Sequence, residues 1–197
     1  MAPVKVRKRL LLGSLATAAV ASVAIGWAIS RAGDESNADD TVIIDGGNGP
    51  LQPPSIETNA VVKGDPLPDV DVQTLDGADL AVRSLIGQPM VINVWGSTCV
   101  PCKKELPDFA AAHLIYGDRV RFVGIDYLPP SDREENFARD RGVQYELLYD
   151  TNLEFTNDVG IAAFPVTLFV NADGTIVRQT GLLDEAKIAQ YIESDLL

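Results

Sequence analysis

The chain has 197 residues, 46% of them hydrophobic, with two cysteines, one histidine and a net charge of -12. That balance suits one globular domain with an appendage and excludes a wholly disordered chain. It also leaves too few ligands for a four-coordinate Cys/His zinc site, and residues 32–197, with 11 basic against 28 acidic side chains, would repel a nucleic-acid backbone.

The first nine residues form a basic stub containing Lys5, Arg7, Lys8 and Arg9. Residues 10–30 are then uncharged, and a helix of that length spans about 30 Å, the thickness of a bilayer core. Asp34, Glu35, Asp39 and Asp40 follow. The positive-inside rule therefore predicts a single-pass signal anchor in the cell membrane, with the N-terminus cytoplasmic and the remainder extracytoplasmic. Cleavage as a signal peptide is the alternative, with Ala19-Val20-Ala21 as the small-residue site, and would give a secreted protein. The apolar run continues through Ile25, Trp27 and Ile29, which favours the uncleaved anchor. Residues 31–60 read as a flexible acidic linker, because Gly46-Gly47, Gly49-Pro50 and Pro53-Pro54 leave little apolar surface to offset chain entropy.

Residues 61–197 read as the folded domain. Val70 to Leu80 alternates around Asp76-Gly77, the signature of a hairpin. Val91 to Trp95 is a short apolar run bounded by Pro89 and Gly96, hence a buried strand. Leu106, Phe109, Ala110, His113 and Leu114 follow helical spacing and predict one apolar face, with His113 a packed core residue. Val120 to Ile125 is a second buried strand. Ser131 caps a helix running to Arg141, with Glu134 in the capping-box position and Gly142 ending it. Val166–Val170 and Thr175–Arg178 form a hairpin around Asp173-Gly174. Asp184 caps a last helix carrying Ile188, Ile192 and Leu196. The order β-α-β-α-β-β-α after the first hairpin predicts an α/β domain with helices covering a mixed sheet.

Cys99-Val100-Pro101-Cys102 lies where the first central strand gives way to its helix. A helix N-terminus favours an anion, so the Cys99 thiol ionises below its ordinary range, near 8.5. Cys102, three residues on, can reach Cys99 and close a disulfide. The chemistry these features support is thiol-disulfide exchange. A purely structural bridge is the alternative, but a three-residue spacing closes too small a loop to restrain the unfolded chain much. A covalent c-type haem site is excluded by Lys103, which stands where histidine is required.

The segment from Asn93 to Pro107 (NVWGSTCVPCKKELP) resembles the active-site segment of the TlpA/ResA-type thioredoxin-like family. The resemblance extends to Leu75-Asp76-Gly77, to Leu85–Pro89 and to Val159–Gly174, and covers roughly residues 63–197. It implies a thioredoxin-like fold with an N-terminal β-hairpin extension, preceded by one transmembrane helix. Cys99 is then the nucleophile, Cys102 the resolving thiol and Pro165 a cis-proline facing the dithiol. Glu105 becomes a buried acid moving protons to and from the pair; a solvated first-turn acid is its alternative. Trp95, Thr98, Val100, Pro101 and Phe164 border the substrate groove. Thr98 and Phe164 depart from the usual residues of the family, so the partner does not carry over with the fold.

The implied enzyme is a thiol-disulfide oxidoreductase with no cofactor beyond its own redox-active disulfide and no metal. Its partners are protein thiols or disulfides and a membrane electron donor or acceptor. The resemblance favours a reductant, with cytochrome c maturation as the family's frequent role. The alternatives are a disulfide-introducing oxidant, a thiol peroxidase and a non-catalytic tethered binding module. The peroxidase pattern Pro-x-x-x-Thr-x-x-Cys is not met, since positions 95 and 96 are Trp and Gly.

Overall fold

A run that is buried on both faces of a sheet must be apolar throughout, and this identifies the centre of the fold. All six residues of the strand Met90–Trp95 are buried, as are all five of Val166–Val170. The computed structural model describes residues 56–197. In chain order the strands are β1 (Asp71–Gln73), β2 (Asp79–Ala81), β3 (Met90–Trp95), β4 (Arg121–Asp126), β5 (Glu146–Tyr149), β6 (Val166–Val170) and β7 (Ile176–Thr180). The helices are α1 (Cys102–Tyr116), α2 (Asp132–Arg139), α3 (Glu154–Asp158) and α4 (Glu185–Asp195).

The seven strands form one mixed sheet in the order β2-β1-β5-β4-β3-β6-β7. β3, β4 and β5 run parallel, while β6 pairs antiparallel with β3 and β7 with β6. The period-2 pleat sends alternate residues of β3 to opposite sides. Val91 and Trp95 join the cluster under α1 and α4, with Leu106, Phe109, Ile188 and Ile192. Met90, Ile92 and Val94 join the other cluster, with Phe155 and Val159 at α3. Helices therefore cover both faces, as expected of a thioredoxin-like α/β fold.

The predicted N-terminal hairpin is β1–β2, with Asp71 opposite Ala81 and Gly77 at a φ of 80° in its turn. It joins the main sheet through β5, where Gln73 pairs with Tyr149. β5 and α3 are additions to the predicted order. β5 is only four residues long and contains no β-branched residue, so no strand signal marks it. α3 is five residues and starts from Leu153 at a φ of 59°. Its capping carboxylate comes from further upstream: Asp150 accepts from the Phe155 and Thr156 amides at 3.1 and 2.8 Å.

Two further details differ from the sequence reading. Leu114 is 83% exposed and does not belong to the inward stripe of α1, which runs through Cys102, Leu106, Phe109, Ala112 and Tyr116. The stripe is set by Cys102 at the helix start, and from there position 114 turns outward. The fold's contacts also begin ahead of residue 61. Ile56–Thr58 makes one helical turn and the Asn59 side chain is buried. The predicted anchor at 10–30 and the linker as far as residue 55 lie outside the described residues. Among the described residues no helix is long and apolar enough to cross a membrane.

Candidate active site

β3 ends at Trp95, and the chain must turn from strand into helix within six residues. The turn is tight at Gly96, where a side-chain carbon would lie 2.6 Å from Cζ of Tyr127. The Cys99 amide then donates to the Gly96 carbonyl at 3.1 Å, and the Lys103 amide to the Cys99 carbonyl at 3.3 Å. Cys99 therefore sits on the incoming turn of α1. Its sulfur accepts from the Cys102 amide at 3.2 Å, a donor well placed to stabilise a thiolate. Cys99 and Cys102 are joined as a disulfide, with Cα atoms 5.3 Å apart.

The two sulfurs have unequal surroundings. Cys99 is half-buried, at the edge of the cluster that contains Trp95, Leu106 and Phe109, while Cys102 is fully buried within it. A partner's disulfide can approach Cys99 alone.

One turn further, Glu105 is 0% exposed, so it is no solvated first-turn acid. Its Oε1 accepts from Asn93 Nδ2 at 2.7 Å and its Oε2 from the Leu183 amide at 3.3 Å. Burial pushes its carboxyl up to about 8, against those two hydrogen bonds and with a small push from Asp108. Glu105 therefore holds its proton at neutral pH. Pro107 sits within α1, which stays continuous around it.

The Phe164–Pro165 peptide bond is cis and Pro165 is buried. Phe164 packs against Tyr127 with ring centroids 4.3 Å apart, and the Tyr127 hydroxyl lies 2.8 Å from Thr98 Oγ1. Thr98 and Phe164 are thus linked through one aromatic ring beside the dithiol. Val100 is 63% exposed on the same loop and Pro101 is half-buried, whereas Trp95 is fully buried under α1. Trp95 supports the groove from beneath and does not line it. His113 is half-buried between Phe122 and Tyr145, edge-on to both rings, and burial lowers its pKa.

Several residues of the site carried no signal in the sequence reading. Tyr127 stands two residues past the predicted strand. Asn59 fell in the predicted linker, yet its Oδ1 accepts from the Ala162 and Ala163 amides at 2.7 and 2.8 Å, and its Nδ2 donates to the Ala163 carbonyl at 3.0 Å. It fixes the backbone leading into Phe164-Pro165. Glu134 is half of the predicted capping box: its amide donates to Ser131 Oγ at 3.3 Å. Its carboxylate does not return to Ser131. It reaches Ser97, accepting from Oγ at 2.7 Å and from the amide at 3.2 Å.

The AhpC/TSA family model matches residues 63–179. The chain belongs to the AhpC/TSA family. Within it, curated relatives fit the TlpA/ResA-type resemblance. The thiol-disulfide oxidoreductase ResA of Geobacillus thermodenitrificans is 26% identical over 70% of this chain and 80% of its own length. That of Bacillus subtilis is 25% identical over 68% and 75%. A secreted Mycobacterium tuberculosis disulfide oxidoreductase homologous to Escherichia coli DsbE superposes with a TM-score of 0.56, covering 64% of this chain and 96% of its own at 22% identity, a likeness of fold. This AhpC/TSA-family chain is a thiol-disulfide oxidoreductase with the Cys99–Cys102 disulfide at the head of α1.

Proposed function

We propose that this oxidoreductase is a reductant of protein disulfides outside the cytoplasm, tethered by residues 10–30, with Cys99 as nucleophile and Cys102 as resolving thiol. The observation that carries the assignment of roles is the unequal burial of the two sulfurs. In the reduced enzyme the Cys99 thiolate attacks one sulfur of a substrate disulfide, the substrate S–S bond breaks, and the departing sulfur takes up a proton. Cys102 then loses its proton and attacks Cys99 Sγ. The mixed disulfide breaks, the second substrate sulfur is protonated, and the Cys99–Cys102 bond forms. Two electrons pass from enzyme to substrate; of the two protons the substrate sulfurs gain, one is released by Cys102 and the other comes from solvent, where the ionised Cys99 left its own. Glu105 serves the second step in its ionised form, three residues along the helix from Cys102: with its pKa raised to about 8, the carboxylate that forms is a strong enough base to take up the Cys102 proton. A membrane electron donor restores the dithiol.

Burial of Cys102 supports its resolving role, since an incoming disulfide cannot reach it, and the reducing direction follows from the TlpA/ResA-type resemblance. The uncharged run at 10–30 with its basic flank supports export, and cytochrome c maturation follows from the TlpA/ResA-type resemblance. The peroxidase alternative requires threonine at position 96, where the Tyr127 ring leaves no room for a side chain.

Trapping tests this reading. In cells, Cys102→Ala is expected to accumulate mixed disulfides through Cys99, cleaved by reductant, with exported apocytochromes among the trapped chains. Cys99→Ala is expected to trap none. Equal trapping by both variants would contradict the assignment of roles, and unimpaired cytochrome assembly in a Cys99→Ala/Cys102→Ala strain would contradict the client class.

A further inference from the structure

Besides Glu105, two further buried carboxyl groups, Asp126 and Glu134, lie beneath the loop that bears Cys99. Asp126 ends β4 directly beside Trp95 in the sheet and is 0% exposed. Its Oδ1 accepts from the Leu128 amide at 2.8 Å, while its Oδ2 is buried with no donor among the described residues. Glu134, at 4% exposure, lies within hydrogen-bonding reach of Asp126, and both of its own oxygens accept from Ser97. Two ionised carboxylates cannot share such a site. A single proton on Asp126 resolves the conflict and leaves Glu134 charged to bind Ser97.

We propose that Asp126 and Glu134 form a carboxylic acid–carboxylate pair that holds the Cys99 loop through Ser97, making both of them positioning residues for thiol-disulfide exchange. The proposal rests on Cys99 being the attacking thiol. Ser97 precedes Cys99 by two residues, and its amide and hydroxyl are both bound to Glu134, so the direction in which the loop presents Cys99 is set from below. No buried cation offsets the pair. The Arg133 Nε is 3.9 Å from Glu134, but its side chain is 82% exposed. Along the same helix Glu135 pairs with Arg139. On β5 and beyond, the buried Tyr149 hydroxyl adds no charge of opposite sign, and Asp150 spends its oxygens on α3. From β3 the neighbour is the uncharged Trp95 indole. Burial, reinforced by Glu134, raises the Asp126 carboxyl to about 8. Loss of its proton would place a second negative charge under the loop, loosen the hold on Ser97 and oppose thiolate formation at Cys99.

The test uses the full chain carrying Glu105→Gln, so that the other buried acid contributes nothing. At pH 6 the oxidised protein is expected to show an infrared protonated-carboxyl C=O band that disappears on titration through about pH 8 and is absent once Asp126→Asn is added. Glu134→Gln, which keeps an acceptor for Ser97 but removes the charge, is expected to move that disappearance to lower pH. In the reduced protein, Asp126→Asn is expected to shift the pH midpoint of iodoacetamide labelling of Cys99 downward. A band that survives Asp126→Asn, or a labelling profile unmoved by it, overturns the pair. Mapping the label separates the two readings: label on Cys102 contradicts the nucleophile assignment, while the band and its loss report on the pair whichever cysteine reacts.

Discussion

Glu105 and Asp126 are both held neutral at physiological pH, and each does so at a cost that depends on pH. Their folded-state values, about 8, stand well above the ordinary values of 4.5 and 3.8. Between those limits the folded protein binds protons that the unfolded chain has released, so stability is highest in mild acid and falls as pH rises through 8. The size is on the order of a few kcal/mol for such displacements. Oxidised protein is therefore expected to show a lower urea midpoint at pH 9 than at pH 5, and Glu105→Gln to narrow that difference. A difference unchanged by the substitution would show that Glu105 titrates in its ordinary range. At this scale the cysteines were legible because a spacing of three at a strand–helix junction favours thiol-disulfide exchange over a structural bridge, which would close too small a loop to restrain the unfolded chain. Glu105 was legible only through the family resemblance, since no spacing rule says which side of a first turn is buried. The direction of the Glu134 carboxylate was not legible at all: the local signal, a capping box with Ser131, was outcompeted by a partner 37 residues away in sequence.

The elements around the dithiol act by holding short turns in place. The single turn before Asn59 is the clearest case, because composition placed it in a linker. Two backbone amides and one carbonyl next to the cis-proline depend on the Asn59 side chain. Asn59→Ala is expected to cost about 2 kcal/mol, seen as a lower urea midpoint, since it strands buried polar groups. Asn59→Asp, which keeps the acceptor for both amides, is expected to recover most of that loss. At the strand end, Gly96→Ala would push the Tyr127 ring aside and break its hydroxyl contact with Thr98. The expected outcome is slower turnover with a protein disulfide while the far-ultraviolet circular dichroism of the fold is kept. Long, strongly patterned elements such as β3 and α4 were readable from the sequence. β5 and α3 were not, because elements of four and five residues owe their existence to the neighbouring strand and to Asp150.

The whole chain divides its charge: every one of the first five charged residues up to Arg31 is basic, and the remainder is strongly acidic. That asymmetry is what supports a tethered, exported domain, and it is separable from the chemistry. A chain lacking residues 1–30 is expected to keep disulfide exchange in solution but to leave the carbonate-resistant membrane fraction that holds the full-length protein. Retention in that fraction would contradict the anchor. The topology of the sheet was only partly legible, because hydrophobic runs name strands without ordering them. The site was more legible than the sheet, because its chemistry lies within one strand–helix junction. The central claim concerns which way electrons flow through Cys99 and Cys102, and the most direct measurement is the reduction potential of that dithiol, taken by equilibrating the full chain with redox buffers and quantifying the alkylated thiols. A reductant is expected at about -270 mV or below, whereas a value near -120 mV, in the range of a strong disulfide donor, would contradict the account.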